Sequence, residues 1–375
     1  MRTALARGKP DRVPIAFIGD PDFYAKAAGR PLWELEYGDN EAVTQIKRDA
    51  FLRFPHNDYL HVRGHTRNRV ASRRLVMVDG KPYVEHTCTG DLTAIRPRKT
   101  ATYWGEPGHQ EPTSRGWDPP VRSEADFAWA LGPKPTPDEL LASGEFEPMI
   151  ALRRYFGDDA YMTAGIGAWI YSSALAMMGG FECGLVALHE RPGVFRALVE
   201  QLAERHCVHL EASASIGADA ALLGAELQGA DIISPQAWRE VVLPGHRVLV
   251  ERAHSLGLQV LLWFLGDCMP LLDDLVELGV DGLWLEQDRR GYCADPVAVR
   301  KRVENEICVW GWNWELDLIN DDRGSITRNV ERQIRGAGAD GAFIMGTTYL
   351  TSEAHLEALD HYCAEVLRVS REVGY

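Results

Sequence analysis

Short apolar segments that end in a polar residue or in glycine recur through the second half of the chain. They are DAALLGAE (219–226), QVLLWFLGD (259–267), DGLWLEQ (281–287), ICVWGWN (307–313) and GAFIMGT (341–347). A strand that is apolar at nearly every position is typical of a parallel sheet covered on both faces, because both of its sides are buried. Polar side chains then gather where the strands end, so we expect functional groups at the carboxyl ends of the strands.

Strand-like segments separated by helix-length intervals occur eight times. They lie at residues 13–18, 58–62, 161–164, 219–224, 259–263, 282–285, 307–310 and 341–345. The longest amphipathic interval starts at Ser234-Pro235, an N-cap followed by proline, and predicts a helix over residues 235–256. This alternation predicts an α/β protein, a (β/α)8 TIM barrel formed by residues 1–375 as a single domain. A doubly wound sheet is the alternative.

An insertion at about residues 70–135 interrupts the alternation. Residues 70–97 are interpreted as two strands joined by Asp79-Gly80, with a third strand after Thr89-Gly90, because Asp-Gly between apolar runs is typical of a type I′ hairpin turn. Residues 102–135 are rich in Pro, Gly, Trp and charge, which predicts a long ordered loop over one end of the barrel. A solvated linker is the alternative.

Composition narrows the classes of partner. The chain has 54 acidic and 40 basic residues and a net charge of −14, which disfavours nucleic acid and anionic membranes. Its seven cysteines are scattered without a CxxC pair, which favours a reducing compartment. The first residues are charged rather than apolar, and no apolar run reaches the roughly 20 residues that span a bilayer. We therefore expect a cytoplasmic protein that acts on a small molecule.

Three carboxylates follow predicted strands and are the candidate catalytic residues. They are Glu226, Asp267 and Glu286. Apolar surroundings raise the pKa of a carboxyl group, so each could act as a general acid or base or bind a cation. The alternative is structural, since Asp267 could cap the following helix and the two glutamates could bond loop amides.

Aromatic and polar side chains near strand ends are the candidate ligand-binding residues. They are Asp20, Trp169, Tyr171, Trp263, Trp312, Asn313 and Thr347. Aromatic walls suit a flat or methylated ligand through stacking and cation–π contacts. Some have structural alternatives: Trp263 lies within a strand and could be a core residue, Asp20 could pair with Arg12, and Thr347 could satisfy loop amides.

Other site types lack their sequence patterns. The histidines at 61, 65 and 86 have no helical metal-ligand spacing and are interpreted as structural or solvated. The chain contains no GxSxG, no GxxxxGK[ST] and no GxGxxG after a strand, which disfavours a catalytic serine elbow, a P-loop and a dinucleotide-binding fold.

Motifs along nearly the whole chain resemble the uroporphyrinogen decarboxylase superfamily. They are ALARGKPDRVPI, ISPQAWREVVLPGHRVLVERAHSLGLQVLLWFLGD, LVELGVDGLWLEQ, VWGW and GAFIMGTTYLTSEAHLEALDHY. The insertion ending in TCTGDLTAIRP is similar to the branch of corrinoid-dependent methyltransferases and O-demethylases, and the arginine-rich signature of the tetrapyrrole decarboxylases is absent. The resemblance implies a (β/α)8 barrel and, for that branch, a zinc ion that activates the substrate for methyl exchange with a cobalamin protein.

The chain departs from the branch at the metal ligands that the resemblance implies. Trp263-Phe264-Leu265 occupies the place of His-x-Cys, and Gly346-Thr347-Thr348 occupies the place of a further cysteine. Neither tryptophan nor leucine can donate to zinc, so no metal ligand is assigned. A relocated metal site, formed by the three candidate carboxylates with Cys268 or Cys293, is the alternative.

Three functions remain open at this point. The first is methyl transfer or demethylation of a small aromatic or methylated substrate, with cobalamin on a partner corrinoid protein or tetrahydrofolate as the acceptor. The second is a metal-independent decarboxylase or lyase that uses the strand-end carboxylates, and the third is a barrel that binds a small molecule without catalysis. The resemblance also implies a homodimer.

Overall fold

Eight parallel strands form the central sheet of the computed structural model, which describes residues 1–95, 119–164, 168–286, 292, 294–347 and 349–375. Three further strands form a separate antiparallel sheet. In chain order the strands are β1 Ile15–Ala16, β2 Tyr59–Val62, β3 Arg73–Val78, β4 Lys81–His86, β5 Leu92–Ala94, β6 Tyr161–Ala164, β7 Ala220–Glu226, β8 Gln259–Leu265, β9 Gly282–Leu285, β10 Cys308–Gly311 and β11 Phe343–Gly346.

The large sheet has the order β1-β11-β10-β9-β8-β7-β6-β2. Its two ends approach each other, because Ile15 forms a parallel bridge with Asn57 and its carbonyl accepts the Asp58 N–H at 2.8 Å. The sheet is therefore a nearly closed barrel, and the predicted (β/α)8 fold is confirmed, as is each of its eight predicted strands.

Helices surround this barrel. The α-helices are Arg2–Leu5, Pro21–Ala27, Glu34–Tyr37, Asn40–Arg53, Arg67–Ala71, Phe127–Leu131, Pro137–Ala142, Glu147–Phe156, Ile170–Met177, Gly180–Glu190, Pro192–Ser215, Pro235–Ala237, Leu243–Ser255, Leu272–Leu278, Pro296–Val303, Glu315–Ile319, Arg323–Gln333 and Leu356–Glu372. Short 3-10 turns lie at Glu124–Asp126 and Met269–Leu271, and π-helical turns at Trp238–Val242 and Ile334–Gly338.

The helix predicted over residues 235–256 is present but interrupted. It starts at Pro235 with the Ser234 side chain as N-cap, and the π-helical turn Trp238–Val242 separates it from the helix Leu243–Ser255. Pro244 has no backbone N–H and cannot continue the α-helical hydrogen bonds, which accounts for the irregular turn directly before it.

A charged cluster holds the amino-terminal helix against the base of the barrel. Asp219, just before β7, accepts hydrogen bonds from Arg2 Nη2 at 2.6 Å, Arg153 Nη2 at 2.5 Å and the Met162 N–H at 2.7 Å. Leu5 of the same short helix is fully buried in the barrel interior. The amino ends of the strands are therefore closed by side chains, and only the opposite end is left for a ligand.

The insertion forms a hairpin with a third strand, as predicted. β3 and β4 are antiparallel, β5 pairs with β4, and the turn between β3 and β4 has positive φ at Asp79 (50°) and Gly80 (75°). Positive φ at both central residues is the requirement of a type I′ turn. The first part of the loop predicted over residues 102–135 lies outside the described residues, and its last part contains the helix Phe127–Leu131.

Among the described residues, no single helix is long and apolar enough to cross a membrane. The helices Ile170–Met177 and Gly180–Glu190 have the necessary length and composition only when they are taken together, and the chain bends by 94° between them.

Candidate functional site

A cavity of about 370 Å³ opens at the carboxyl ends of the barrel strands. Its walls come from β2, β7 and β8 and from segments that follow β1, β2, β6 and β11. The aromatic lining residues are Tyr24, Trp169, Trp263 and Tyr349, and the charged or imidazole lining residues are Glu36, Lys47, His61, Arg63, His65 and Arg69. This is the barrel face on which ligands bind whatever the chemistry.

Stacked aromatic rings form one wall of the cavity. The Trp263 indole stacks against Tyr349 with centroids 5.9 Å apart and planes 17° from parallel, and Trp169 meets it edge to face at 5.6 Å. Trp169 reaches this position because β7 carries Gly224, where a Cβ would lie 2.1 Å from the Trp169 ring. A planar ligand therefore has several π-faces and edges to contact.

Lys47 supplies a largely buried cation to the lining of the cavity. The helix Asn40–Arg53 buries Val43, Ile46, Lys47 and Ala50, so the lysine occupies a position of the apolar stripe. Its side chain is 6 % exposed, and its Nζ lies 3.1 Å from the centroid of the Tyr24 ring. Burial lowers the pKa of Lys47 well below its usual value, and the nearby charge of Asp20 opposes that shift.

His61 belongs to a buried hydrogen-bond relay. Tyr59 Oη lies 2.8 Å from Thr163 Oγ1, which lies 2.9 Å from His61 Nδ1. Burial raises the pKa of Tyr59, so its hydroxyl keeps a proton that it must donate. If Tyr59 donates to Thr163, then Thr163 donates to Nδ1, and the ring proton resides on Nε2. Burial, with the charges of Lys47 and Arg63, lowers the pKa of His61 to about 3, so the imidazole is neutral at pH 7.

The mouth of the cavity carries ion pairs. Arg69 Nη2 donates to Glu36 Oε1 at 2.5 Å, and Arg63 Nε donates to Glu145 Oε1 at 3.2 Å. His65 Nε2 lies 2.9 Å from the Leu35 carbonyl, and burial lowers the pKa of this histidine. The charges at the rim are thus held in place by one another.

Two of the residues predicted to bind ligand, Trp169 and Trp263, line the cavity. Asp20 is fully buried one step behind the wall, where its Oδ1 accepts the Phe23 N–H at 2.7 Å and caps the helix Pro21–Ala27. Tyr171 is fully buried and packs on Phe195 with centroids 5.6 Å apart. Their assignment as substrate-binding residues stays a prediction.

The remaining three predicted ligand-binding residues follow β10 and β11. Trp312 is 6 % exposed and belongs to the hydrophobic cluster between the barrel and its helices. Asn313 is fully buried and donates to the Trp314 carbonyl at 3.0 Å, and Thr347 is fully buried at the end of β11. The structure does not bring these side chains into the described lining of the cavity.

The three predicted catalytic carboxylates lie at the expected strand ends. Glu226 ends β7, Glu286 directly follows β9 and accepts a hydrogen bond from the Tyr292 hydroxyl, and Asp267 follows β8. Asp267 Oδ1 accepts the Met269 N–H at 3.0 Å, a local contact before the 3-10 turn Met269–Leu271, whose N-cap residue is Cys268 rather than Asp267. Since none of them is among the described lining residues, their catalytic role also stays a prediction.

The sequence contained signals for cavity residues that were not predicted. A lysine in the apolar stripe of an amphipathic helix marks Lys47. His61 was interpreted as structural or solvated, yet it is two residues from Tyr59 on β2 and therefore faces the same side, into the barrel. Tyr24 and Tyr349 carried no distinguishing pattern.

The described side chains do not fit a zinc ion. Among the described residues, no group of three or more His, Cys, Asp and Glu is arranged to hold a metal. Cys268 is fully buried, and burial raises its pKa to about 12, so it is a neutral thiol rather than the thiolate that zinc binds. Cys293, the other cysteine considered for a relocated site, lies outside the described residues.

The comparison with one solved structure agrees with the fold. A solved methyltransferase from Methanosarcina mazei superposes with a TM-score of 0.66 at 14% identity, covering 97% of this chain and 96% of that one. A B12-independent methionine synthase from Shewanella sp. W3-18-1, solved with selenomethionine, gives 0.49 at 8% identity, with 96% and 98% covered. None of the curated protein sequences matches significantly. The sequence model of uroporphyrinogen decarboxylase matches residues 118–364, more than half of the chain, and the protein therefore belongs to the uroporphyrinogen decarboxylase family.

Proposed function

We propose that this protein is an enzyme that transfers a methyl group from a small aromatic or methylated substrate bound in the cavity. The acceptor would be cobalamin on a partner corrinoid protein, or tetrahydrofolate. The observation that carries the proposal is the aromatic cavity at the carboxyl ends of the strands in a chain of this family. A protein of the same fold bears the name methyltransferase, which supports methyl transfer in general terms.

The size and the walls of the cavity suit such a substrate. A volume of about 370 Å³ falls at the lower end of the roughly 300–1,000 Å³ typical of small-molecule sites. The indoles of Trp169 and Trp263 and the phenol of Tyr349 surround one side of it. A single aromatic ring fits these surfaces by stacking and by edge contacts.

His61 is positioned to assist demethylation of an aryl methyl ether. In that reaction the acceptor attacks the methyl carbon, the O–CH₃ bond breaks, and its electron pair stays on the oxygen of the aryl oxide. A neutral imidazole with its proton on Nε2 donates a hydrogen bond to that oxygen as charge develops. Because the relay through Thr163 fixes the tautomer, this donor is in place before the substrate arrives.

A metal has no part in this proposal, since the described residues do not form a zinc site. The zinc ion that the resemblance implies would act as a Lewis acid on the substrate. However, Trp263 and Leu265 occupy the positions where metal-ligand side chains would be needed. The proposed chemistry depends on binding, orientation and the hydrogen bond from His61.

A second candidate function is decarboxylation. It is supported by the family to which the chain belongs and by the position of Lys47. Lys47 is a buried cation inside the cavity, where a carboxylate would be held. In this reaction the bond between the carboxylate carbon and the ring or side chain breaks, carbon dioxide leaves, and the remaining carbon takes up a proton. The strand-end carboxylates Glu226, Asp267 and Glu286 would supply that proton.

One assay separates the candidates. Purified protein is incubated with methoxyarenes or methylamines and with either cob(I)alamin or tetrahydrofolate, and the methylated acceptor and carbon dioxide are both quantified. Methylated acceptor that depends on the enzyme supports the proposal, and carbon dioxide without methylated acceptor supports the second candidate. His61→Gln is expected to lower the methyl-transfer rate, whereas the exposed His56→Gln serves as its control. Absence of both products, with ligand still bound, indicates a binding protein.

A further inference from the structure

We propose that Lys47 is the counter-ion of an anionic group on the ligand, and that the ligand of this cavity is a small aromatic carboxylate. That the ligand is aromatic rests on the proposed function. That it is anionic rests on the surroundings of Lys47 alone, so this statement can be tested without any methyl transfer.

The Lys47 ammonium is buried without the partners that a buried cation needs. It is 6 % exposed, and neither a hydrogen-bond acceptor nor an ion pair within 4.0 Å is present for Nζ among the described residues. The face of Tyr24, 3.1 Å away, stabilises one side of the charge. An ammonium has three N–H donors, and because Lys47 lines the cavity, acceptors for them have to come from the cavity itself. An anion in the cavity would supply those acceptors.

Groups around Lys47 do not replace this anion. Asp20 acts on the lysine charge through space and raises its pKa, but burial has the larger effect and the net shift is downward. His61 is neutral and Tyr24 keeps its proton, because burial raises the pKa of that phenol. Among the described residues no carboxylate forms an ion pair with Lys47, so an anionic group of a ligand would be its direct partner.

Charges at the entrance favour the same type of ligand. Three cations, Lys47, Arg63 and Arg69, are among the described lining residues. Arg69 is paired with Glu36 and Arg63 with Glu145, so Lys47 is the cation of this described set without an ion pair. Fields inside a cleft concentrate ions of the opposite sign. Beside Lys47, an ammonium group on a ligand is therefore disfavoured and an anionic group is favoured.

An alternative use of a buried lysine is covalent. A neutral amine attacks an aldehyde or ketone, water leaves, and an imine forms. The ring of Tyr24 directly at Nζ favours the charged ammonium instead, since a cation and not an amine is attracted to the π-face. Reduction with borohydride distinguishes these two roles of Lys47, because it traps an imine as a covalent adduct and leaves an ion pair unchanged.

The experiment compares isosteric probes in the full-length protein. Binding of 2-, 3- and 4-methoxybenzoate is measured by calorimetry beside the matching methoxybenzamides and methoxybenzylamines. We expect at least one carboxylate to bind about tenfold or more tightly than its amide, with the amine weakest. Lys47→Met is expected to abolish the preference for carboxylate over amide while the amide still binds, which also shows that the variant folds.

Several results would overturn the inference. They are equal binding of carboxylate and amide by the wild type, an unchanged preference in Lys47→Met, and a borohydride-trapped adduct at Lys47 with benzaldehydes. Lack of carboxylate binding at millimolar concentration has the same consequence. Arg63→Gln, at the rim, is the matched control and is expected to reduce the preference by less, because its side chain is 48 % exposed. If carboxylates bind as expected but no methyl group moves, the proposed function fails and the inference stands.

Discussion

The indole of Trp284 lies flat on that of Trp310, with ring centroids 4.4 Å apart and planes 5° from parallel. Trp263 continues the stack on the other side of Trp284 at 4.8 Å and 18°. The three residues are direct neighbours across β8, β9 and β10, and Trp310 in turn meets Tyr59 edge to face. A row of rings therefore crosses the barrel from the cavity wall to β2.

Gly346 is required for this row, because a Cβ at that position would lie 1.8 Å from Trp310 Nε1. Gly346→Ala is expected to displace the indole and to lower the free energy of unfolding by about 3 kcal/mol. Urea denaturation followed by far-UV circular dichroism measures this. Gly193→Ala is the control: nothing lies within 4 Å of the added methyl group, and the change is expected to stay within about 1 kcal/mol. Equal effects of the two substitutions would show that the barrel accommodates the methyl group.

Trp263 is expected to contribute to ligand affinity through the part of its indole that lines the cavity. Trp263→Leu keeps an apolar side chain but removes the aromatic face, and the dissociation constant of a bound methoxybenzoate is expected to rise about tenfold. Calorimetric titration provides the value. Trp129→Leu changes a tryptophan that is 76 % exposed and should leave the affinity as it is. Unchanged affinity in Trp263→Leu would place the ligand elsewhere.

His246 is expected to make stability depend on pH. It is fully buried, its Nε2 lies 2.9 Å from Gln228 Oε1, and burial lowers its pKa from 6.5 to about 4. Above pH 6.5 the imidazole is neutral in both the folded and the unfolded state. As the pH falls from 6.5 towards 4, only the unfolded state takes up the proton, so stability is lost. The loss is about 2 kcal/mol between pH 7.5 and pH 5.

Urea denaturation of His246→Gln at the two pH values measures this contribution. The variant is expected to lose less stability on acidification than the wild type, whatever its stability at pH 7.5. The exposed His56→Gln should keep the wild-type difference. If the wild type and His246→Gln lose the same free energy, His246 is not the source.

Asp219 is expected to be important for closing the base of the barrel. Its side chain is 12 % exposed and accepts from Arg2, Arg153 and the Met162 N–H. Asp219→Asn removes the charge between two guanidinium groups and should lower the free energy of unfolding by about 2–4 kcal/mol. Asp158→Asn, also beside Arg2 but 95 % exposed, should cost less than about 0.5 kcal/mol. Thermal denaturation of both variants ranks them.

The fold was predictable because its signals are local. β8 is apolar at six of seven positions between Gln259 and Leu265, and each such strand is read without knowledge of its neighbours. The hairpin depends on one dipeptide, Asp79-Gly80, whose backbone preference is intrinsic. The signal for the interrupted helix was also a single residue, Pro244. The long periodic pattern around it nevertheless predicted one continuous helix.

The site was less predictable because it depends on which face of each element is turned inward. Trp312 and Trp263 both belong to strand regions that end at the mouth, yet one packs outside the barrel and the other lines the cavity. A slip of one residue in a strand exchanges these two environments. Lys47 lies on a helix that follows β1, and only the folded chain shows that this helix brings it to the end of β2.

The row of tryptophans also gives the barrel an optical signature. Parallel indoles held 4.4 and 4.8 Å apart couple their electronic transitions, and a rigid, asymmetric arrangement makes that coupling visible in the near-ultraviolet. Such bands vanish when fixed tertiary packing is lost, even where secondary structure persists. The near-ultraviolet spectrum of this protein therefore reports whether β8, β9 and β10 keep their register, separately from the helices around them.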